Sequence, residues 1–302
     1  SEGAQVVYPE GFVDREGEAM PMIVRKSDGG YLYATTDLAA ARYRLGQLAA
    51  DRIIYVTDMR QAQHFAMLFR TLRQAGWAHA HTRLDHMSFG TILGPDRKPF
   101  KTRAGGTVKL GDVLYEAVRR ARAVIDTKDN PDLDDAERAR VAETLGIGAV
   151  KYADLSNDRV KDYVFDYDRM LALDGNTAPY LVNAYVRIRA IFRKGGLNPA
   201  AVEPTAIVTG GVAAPAERLL VLKLLQWSGV VEQVEQHLEP HRLCTYLYEL
   251  ATLYHRFYEA CPVLKPGVDE ATRDARLALS ELTARTLRLG LELLGIGVVE
   301  RM

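Results

Sequence analysis

Apolar and polar positions follow two different periods along this chain, and the change falls near residue 110. Before it, short β-rich runs alternate with helical ones. Residues 5–8, 20–26 and 31–36 read as strands, the last two joined by a tight turn at Asp28-Gly29-Gly30. Residues 38–45 read as a helix, with Asp37 expected to cap it or open its first turn. Residues 52–58 form a continuous apolar run bounded by charges, the pattern of a buried parallel strand. Phe65, Met67, Leu68 and Leu72 then recur at helical spacing within 61–76, and 85–91 is a further short strand. This order predicts a doubly wound parallel sheet.

Beyond residue 110 almost everything reads as helix. Leu114, Ala117, Val118 and Ala121 line one face, and 132–150 makes at least one more helix. The aromatic–acidic run 162–168 is expected to be extended. Long amphipathic helices follow at 178–194, 216–236, 241–260 and 269–294, with a Gly- and Pro-containing loop at 195–215. The second half is therefore expected to be a helical bundle, and 302 residues suit two domains better than one core.

Composition narrows the picture only slightly. Lys plus Arg and Asp plus Glu both number 39, so any contact with nucleic acid must come from local basic patches rather than a global field. Cys244 and Cys261 lie in apolar helical sequence and are expected to be free, buried thiols in a reducing cytosol. No apolar run approaches the roughly 20 residues of a membrane span, and no signal peptide is expected. The chain starts at Ser1 in sheet-like sequence, as a fragment would.

The densest chemistry lies in the loop 93–109, where Arg97, Lys98, Lys101, Arg103 and Lys109 surround the pair Gly105-Gly106. Glycines admit a ligand close to the backbone, cations suit a polyphosphate, and a helix start just downstream favours anions. A solvated basic loop is the plain alternative. Tyr33 and Asp37 stand four residues apart, and Gln61 follows the next strand. In a parallel sheet these three converge above the strand ends, where a carboxylate, a phenol and a carboxamide suit a planar cation. Taken singly, Asp37 reads as an N-cap, Tyr33 as a core aromatic and His64 as a structural histidine. No Cys/His cluster has metal-ligand spacing, and no P-loop signature is present.

Several runs closely resemble arginyl-tRNA synthetase: residues 28–37, 98–107, 148–155 (Gly-Ala-Val-Lys-Tyr-Ala-Asp-Leu), 175–180 (Gly-Asn-Thr-Ala-Pro-Tyr) and the terminal stretch 295–302. The resemblance covers practically the whole chain. It implies the second half of a Rossmann-type doubly wound parallel sheet, followed by an all-helical anticodon-binding domain of the DALR type. The implied boundaries are 1–115 for the catalytic portion, 116–172 for a helical connecting region and 173–302 for the bundle. The implied activity is arginine–tRNA ligation with ATP and substrate-bound Mg2+, by a cytoplasmic monomer whose partners are L-arginine and tRNA(Arg), with no membrane. Residue by residue, the resemblance assigns Tyr33, Asp37 and Gln61 to arginine. Lys98-Pro99-Phe100-Lys101-Thr102 takes the place of the class signature Lys-Met-Ser-Lys-Ser, giving Lys98, Lys101 and Arg103 a role at the phosphates of ATP. His86 and Phe89 match the segment beside adenine, and Tyr180, Tyr258 and Met302 match anticodon-loop contacts. Helix-packing aromatics are the plain alternative for the two tyrosines. The other class signature, His-Ile-Gly-His, is absent from these residues. The chain by itself is therefore expected to be inactive. A catalytically silent tRNA-binding module is the rival expectation.

Overall fold

The computed structural model describes residues 3–99, 109–127, 131 and 133–302. They divide into two compact units, Ser1–Gly90 and Thr91–Met302.

The first unit is α/β. Strand β1 (Gln5–Val7) pairs antiparallel with β2 (Met22–Arg25). Helix α1 (Tyr33–Gly46) leads into β3 (Arg52–Asp58), a 3-10 turn (Met59–Gln61), α2 (Ala62–Gln74) and β4 (Arg83–Phe89). β3 and β4 are parallel, in register from Arg52↔Arg83 to Asp58↔Phe89, with α2 as the crossover that such pairing requires. Leu38 and Ala41 of α1, Ile53 and Tyr55 of β3 and Phe65, Leu68 and Leu72 of α2 form its buried core.

The expected strand over 31–36 is corrected here. Tyr31 makes only an isolated bridge with Arg25, and Tyr33 already opens α1. Tyr and Thr favour strands by propensity, but this turn is tied down by Thr35 instead. Its hydroxyl donates to the Val24 carbonyl and accepts the Leu32 N–H at 3.4 Å. Ala39, Ala40 and Ala41 then carry the helix on propensity. Asp37 is consequently the fifth helical residue and not a cap.

The second unit opens with β5 (Ile92–Leu93), parallel to β6 (Tyr163–Val164). Between them run α3 (Leu110–Asp126) and α4 (Asp135–Leu155). α4 is started by a reciprocal cap in which the Glu137 N–H donates to Asp134 Oδ1 at 2.7 Å and the Asp134 N–H to Glu137 Oε2 at 3.1 Å. A short helix α5 (Tyr167–Met170) follows, so the run expected to be extended is helical from Tyr167 onward. Then come α6 (Ala178–Gly195), α7 (Ala206–Gly210), α8 (Pro215–Leu224), α9 (Trp227–His237), α10 (Pro240–Ala260) and α11 (Glu270–Leu293). The single helix expected over 216–236 is two, broken at Leu225–Gln226, and the expected loop 195–215 contains α7. Apolar residues of α4, α6, α10 and α11 build one continuous core.

Two largely buried ion pairs cross it. Arg189 of α6 meets Glu281 of α11 at 2.8 Å, and Arg276 of α11 meets Glu217 of α8 at 2.7 Å. Burial alone would raise the Glu217 pKa. The N–H groups of Ala213 and Ala214 and the Arg276 guanidinium outweigh it, so the carboxyl stays below its usual range. Cys244 and Cys261 are free and buried, as expected, and burial pushes the Cys244 thiol up to about 12. Among the described residues the strands form three two-stranded pairs, two of them parallel. No helix among them is long and apolar enough to cross a membrane.

Candidate functional site

The first unit carries five of the residues singled out by sequence, on α1, in the β3–α2 connection and on β4. Tyr33 and Asp37 lie one helical turn apart on α1, so their side chains share a face. Tyr33 is 87% exposed, which excludes the core-aromatic alternative. Asp58 ends β3 and turns the chain by accepting the Arg60 N–H and two guanidinium hydrogen bonds, all at 2.8 Å. Those bonds hold the Asp58 carboxyl at about 2. Gln61 closes this turn and stands, exposed, immediately before α2.

Three residues beyond Gln61, His64 reaches across to α1. Its Nε2 lies 2.7 Å from Asp37 Oδ2, and the two side chains remain 27% and 34% exposed. Sequence reasoning set His64 aside as structural. The available signal was its spacing of three from Gln61, which places both at the same helical edge. Behind His64, Phe65 is buried against Tyr55 and His86, with ring centroids 4.7 and 4.8 Å away. His86 Nε2 lies 2.8 Å from Thr57 Oγ1 on the neighbouring strand, and Phe89, exposed at the end of β4, pairs in register with Asp58. The arrangement is a carboxylate held at one oxygen, with a phenol one turn away on the same helix and a carboxamide at the start of α2. Such a set accepts a multidentate cation.

Lys98 belongs to the second unit. It sits in a tight reversal after β5, where Gly94 N–H donates to the Lys98 carbonyl at 2.7 Å and Lys98 N–H to Asp96 Oδ1 at 3.1 Å. Pro99 bridges back to Leu93. Lys101 and Arg103 lie outside the described residues.

In the bundle, α6 and α10 carry two of the three remaining candidates. The Tyr180 hydroxyl lies 3.0 Å from His255 Nδ1 and 3.4 Å from Thr252 Oγ1. Burial, and then the Arg187 charge, lower the His255 pKa. Arg187 also stands over the Tyr258 ring at 5.7 Å, and Tyr258 is 39% exposed. Met302 is half-buried and lines a small apolar recess with Leu145, Leu171 and Pro179. The tail that carries it is strapped down: Tyr185 donates to Glu300 Oε1, and Arg193 to the Glu300 carbonyl, both at 2.7 Å. A larger cavity of about 390 Å³ lies among α4, β6, α5 and the loop 172–177. Several of its polar groups bond within the protein. The Tyr152 hydroxyl shares its one proton between Asn176 Oδ1 at 2.6 Å and the Cys244 carbonyl at 2.9 Å, Asn157 donates to the Ala153 carbonyl, and Asp166 caps α5.

Comparison with known proteins resolves what this framework is. Residues 1–167 match the family model for the catalytic domain of class I (R) tRNA synthetases, and residues 181–302 match the DALR anticodon binding domain. The chain belongs to the arginyl-tRNA synthetase family. The arginine–tRNA ligase of Synechococcus elongatus is 52% identical over 308 residues, covering 100% of this chain and 51% of that protein. The arginyl-tRNA synthetase structure from Plasmodium falciparum superposes with a TM-score of 0.84 at 31% identity, over 99% of this chain and 49% of its own. That from Thermus thermophilus gives 0.84 at 28% identity, over 99% and 54%. The chain thus spans about half the length of the curated arginyl-tRNA synthetase relatives it matches. Family membership accounts for an α/β catalytic portion followed by a helical anticodon-binding portion in one polypeptide.

Proposed function

We propose that this chain is the arginine-recognising and anticodon-reading part of an arginine–tRNA ligase. The observation that carries the proposal is the Asp37 carboxylate, anchored at one oxygen by His64 and one helical turn from the exposed Tyr33 phenol, in a chain of this family. Asp37, Tyr33 and Gln61 receive the substrate arginine, the carboxylate taking the guanidinium. His86 and Phe89 border adenine. Lys98, Lys101 and Arg103 face the phosphates of ATP, which enters with Mg2+ as its counter-ion. Among the described residues no acidic, His or Cys cluster holds a metal of its own. Residues 1–115 supply the second half of a Rossmann-type doubly wound sheet, 116–172 a connecting region and 173–302 the anticodon-binding bundle, which reads tRNA(Arg) through Tyr180, Tyr258 and Met302. The whole protein is a cytoplasmic monomer.

The reaction asks more for alignment than for a side-chain nucleophile. The arginine carboxylate attacks the α-phosphorus of ATP, forming arginyl-adenylate and releasing pyrophosphate. A hydroxyl of the terminal tRNA ribose then takes the arginyl group and releases AMP. Fixed cations opposite the developing phosphate charge, worth about 3 kcal/mol each, and a fixed arginine supply the rate.

Pyrophosphate exchange into ATP tests this. The full-length protein catalyses exchange with arginine and not with lysine, whereas the 302-residue chain alone, which contains no His-Ile-Gly-His, catalyses none. A full-length protein that binds tRNA(Arg) yet exchanges nothing would instead be the silent tRNA-binding module.

A further inference from the structure

His64 stands outside every role assigned above, yet its side chain bonds to Asp37, one of the residues proposed to hold arginine. Its Nε2 lies 2.7 Å from Asp37 Oδ2. No donor among the described residues is placed on Asp37 Oδ1. Asp37 sits on α1, whose Ala-rich turns leave a short carboxylate side chain free to choose among rotamers. His64 sits on a different element, in the first turn of α2, directly before Phe65. Phe65 is locked in the core between Tyr55 and His86, so the backbone that carries His64 is among the more firmly held parts of this unit. The imidazole edge also packs on Phe65, with centroids 5.0 Å apart and planes at 73°.

We infer that His64 is a positioning residue for Asp37. Its Nε2–H holds Oδ2 so that Oδ1, and with it the carboxylate plane, is presented in one orientation to the guanidinium of arginine. The inference rests on the assignment of Asp37 to arginine made above. It adds that the rigidity of the arginine site comes from α2, through an imidazole, rather than from α1 itself. A guanidinium gives up several ordered waters on entering the site, so a carboxylate already fixed in the accepting orientation loses less freedom on binding. His64 therefore acts on arginine and not on ATP. A residue that merely packs α1 against α2 would disturb both.

Arginine-dependent pyrophosphate exchange by full-length variants distinguishes these cases. Loss of a hydrogen bond to a charged group predicts that His64→Ala raises the KM for arginine by about ten- to a hundredfold while the KM for ATP changes by less than about twofold. His64→Gln carries an N–H donor at nearly the position of the imidazole Nε2 and restores the arginine KM to within about threefold of the parent. His64→Leu keeps the bulk against Phe65 without the donor and behaves like His64→Ala. If His64→Ala were to misfold, the Gln and Leu variants alone decide the matter. Equal arginine KM values in folded Gln and Leu variants overturn the inference, as does a parallel rise of both KM values. Asp37→Asn separates this failure from failure of the assignment beneath it. If Asp37→Asn leaves the arginine KM unchanged, the assignment is wrong. If it raises that KM steeply while the His64 variants do not, only the positioning role is lost.

Discussion

At the residue scale, Asp37 concentrates the argument. Its spacing from Tyr33 and its nearness to a helix start were legible in the sequence. Its helical position was not, because Tyr-Ala-Thr-Thr reads as strand until Thr35 is seen hydrogen-bonded to β2. His64 was illegible for a different reason: a lone histidine acquires meaning only from the partner that the fold brings to it, here 27 residues away. With Asp37 at the fifth helical position, the capping explanation for its presence lapses. Asp37→Asn then keeps size, helix and a hydrogen-bonding group, and removes only charge. The variant should fold with a near-parental melting temperature and bind ATP as before. Its arginine affinity should fall by orders of magnitude, since a desolvated guanidinium left without its carboxylate costs several kcal/mol. Arginine KM in pyrophosphate exchange is the measurement, and a value within about threefold of the parent would remove Asp37 from the site.

At the scale of elements, the apolar periodicity served best where a helix is long and one-sided. α6, α10 and α11 lie within a residue or two of expectation, because each buries a continuous stripe in one core. The 216–236 region failed because its apolar period runs on through Leu225 and Gln226, where the backbone nevertheless breaks between α8 and α9. Periodicity also says nothing about how near two helices approach. α3 and α4 are close at Gly146, where an added Cβ would fall 2.6 Å from the Val118 Cα and 2.8 Å from the Ala117 carbonyl carbon. Those are backbone atoms and cannot swing aside. Gly146→Ala should thus force the helices apart and, despite the better helix propensity of alanine, destabilise the chain by about 1–3 kcal/mol. Thermal unfolding of the two proteins checks this, and a raised melting temperature would mean that the pair has slack.

At the scale of the whole molecule, the stretches that match the catalytic-domain and anticodon-binding families are separate parts of one polypeptide, so under the proposed function single substitutions should separate activation from tRNA use. Tyr258 is the sharper probe. Its ring is partly open to solvent, with the Arg187 guanidinium over it at 5.7 Å, and an exposed aromatic beside a cation suits an unstacked base. Met302 differs: it is wedged beside Leu145, Leu171 and Pro179, at the end of a tail held by Tyr185 and Arg193. The two changes should therefore leave different signatures in the full-length protein. Tyr258→Ala should lower kcat/KM for tRNA by the equivalent of one stacked base, about 1–3 kcal/mol, with arginine activation and melting temperature nearly unchanged. Deleting Met302 should lower both tRNA use and melting temperature, because an apolar side chain leaves a packed recess as well as any contact with RNA. Aminoacylation, pyrophosphate exchange and thermal unfolding measured on both variants give the comparison. If Tyr258→Ala shifts only the melting temperature, its ring is helix packing, and the anticodon face must be sought elsewhere on α6 and α10.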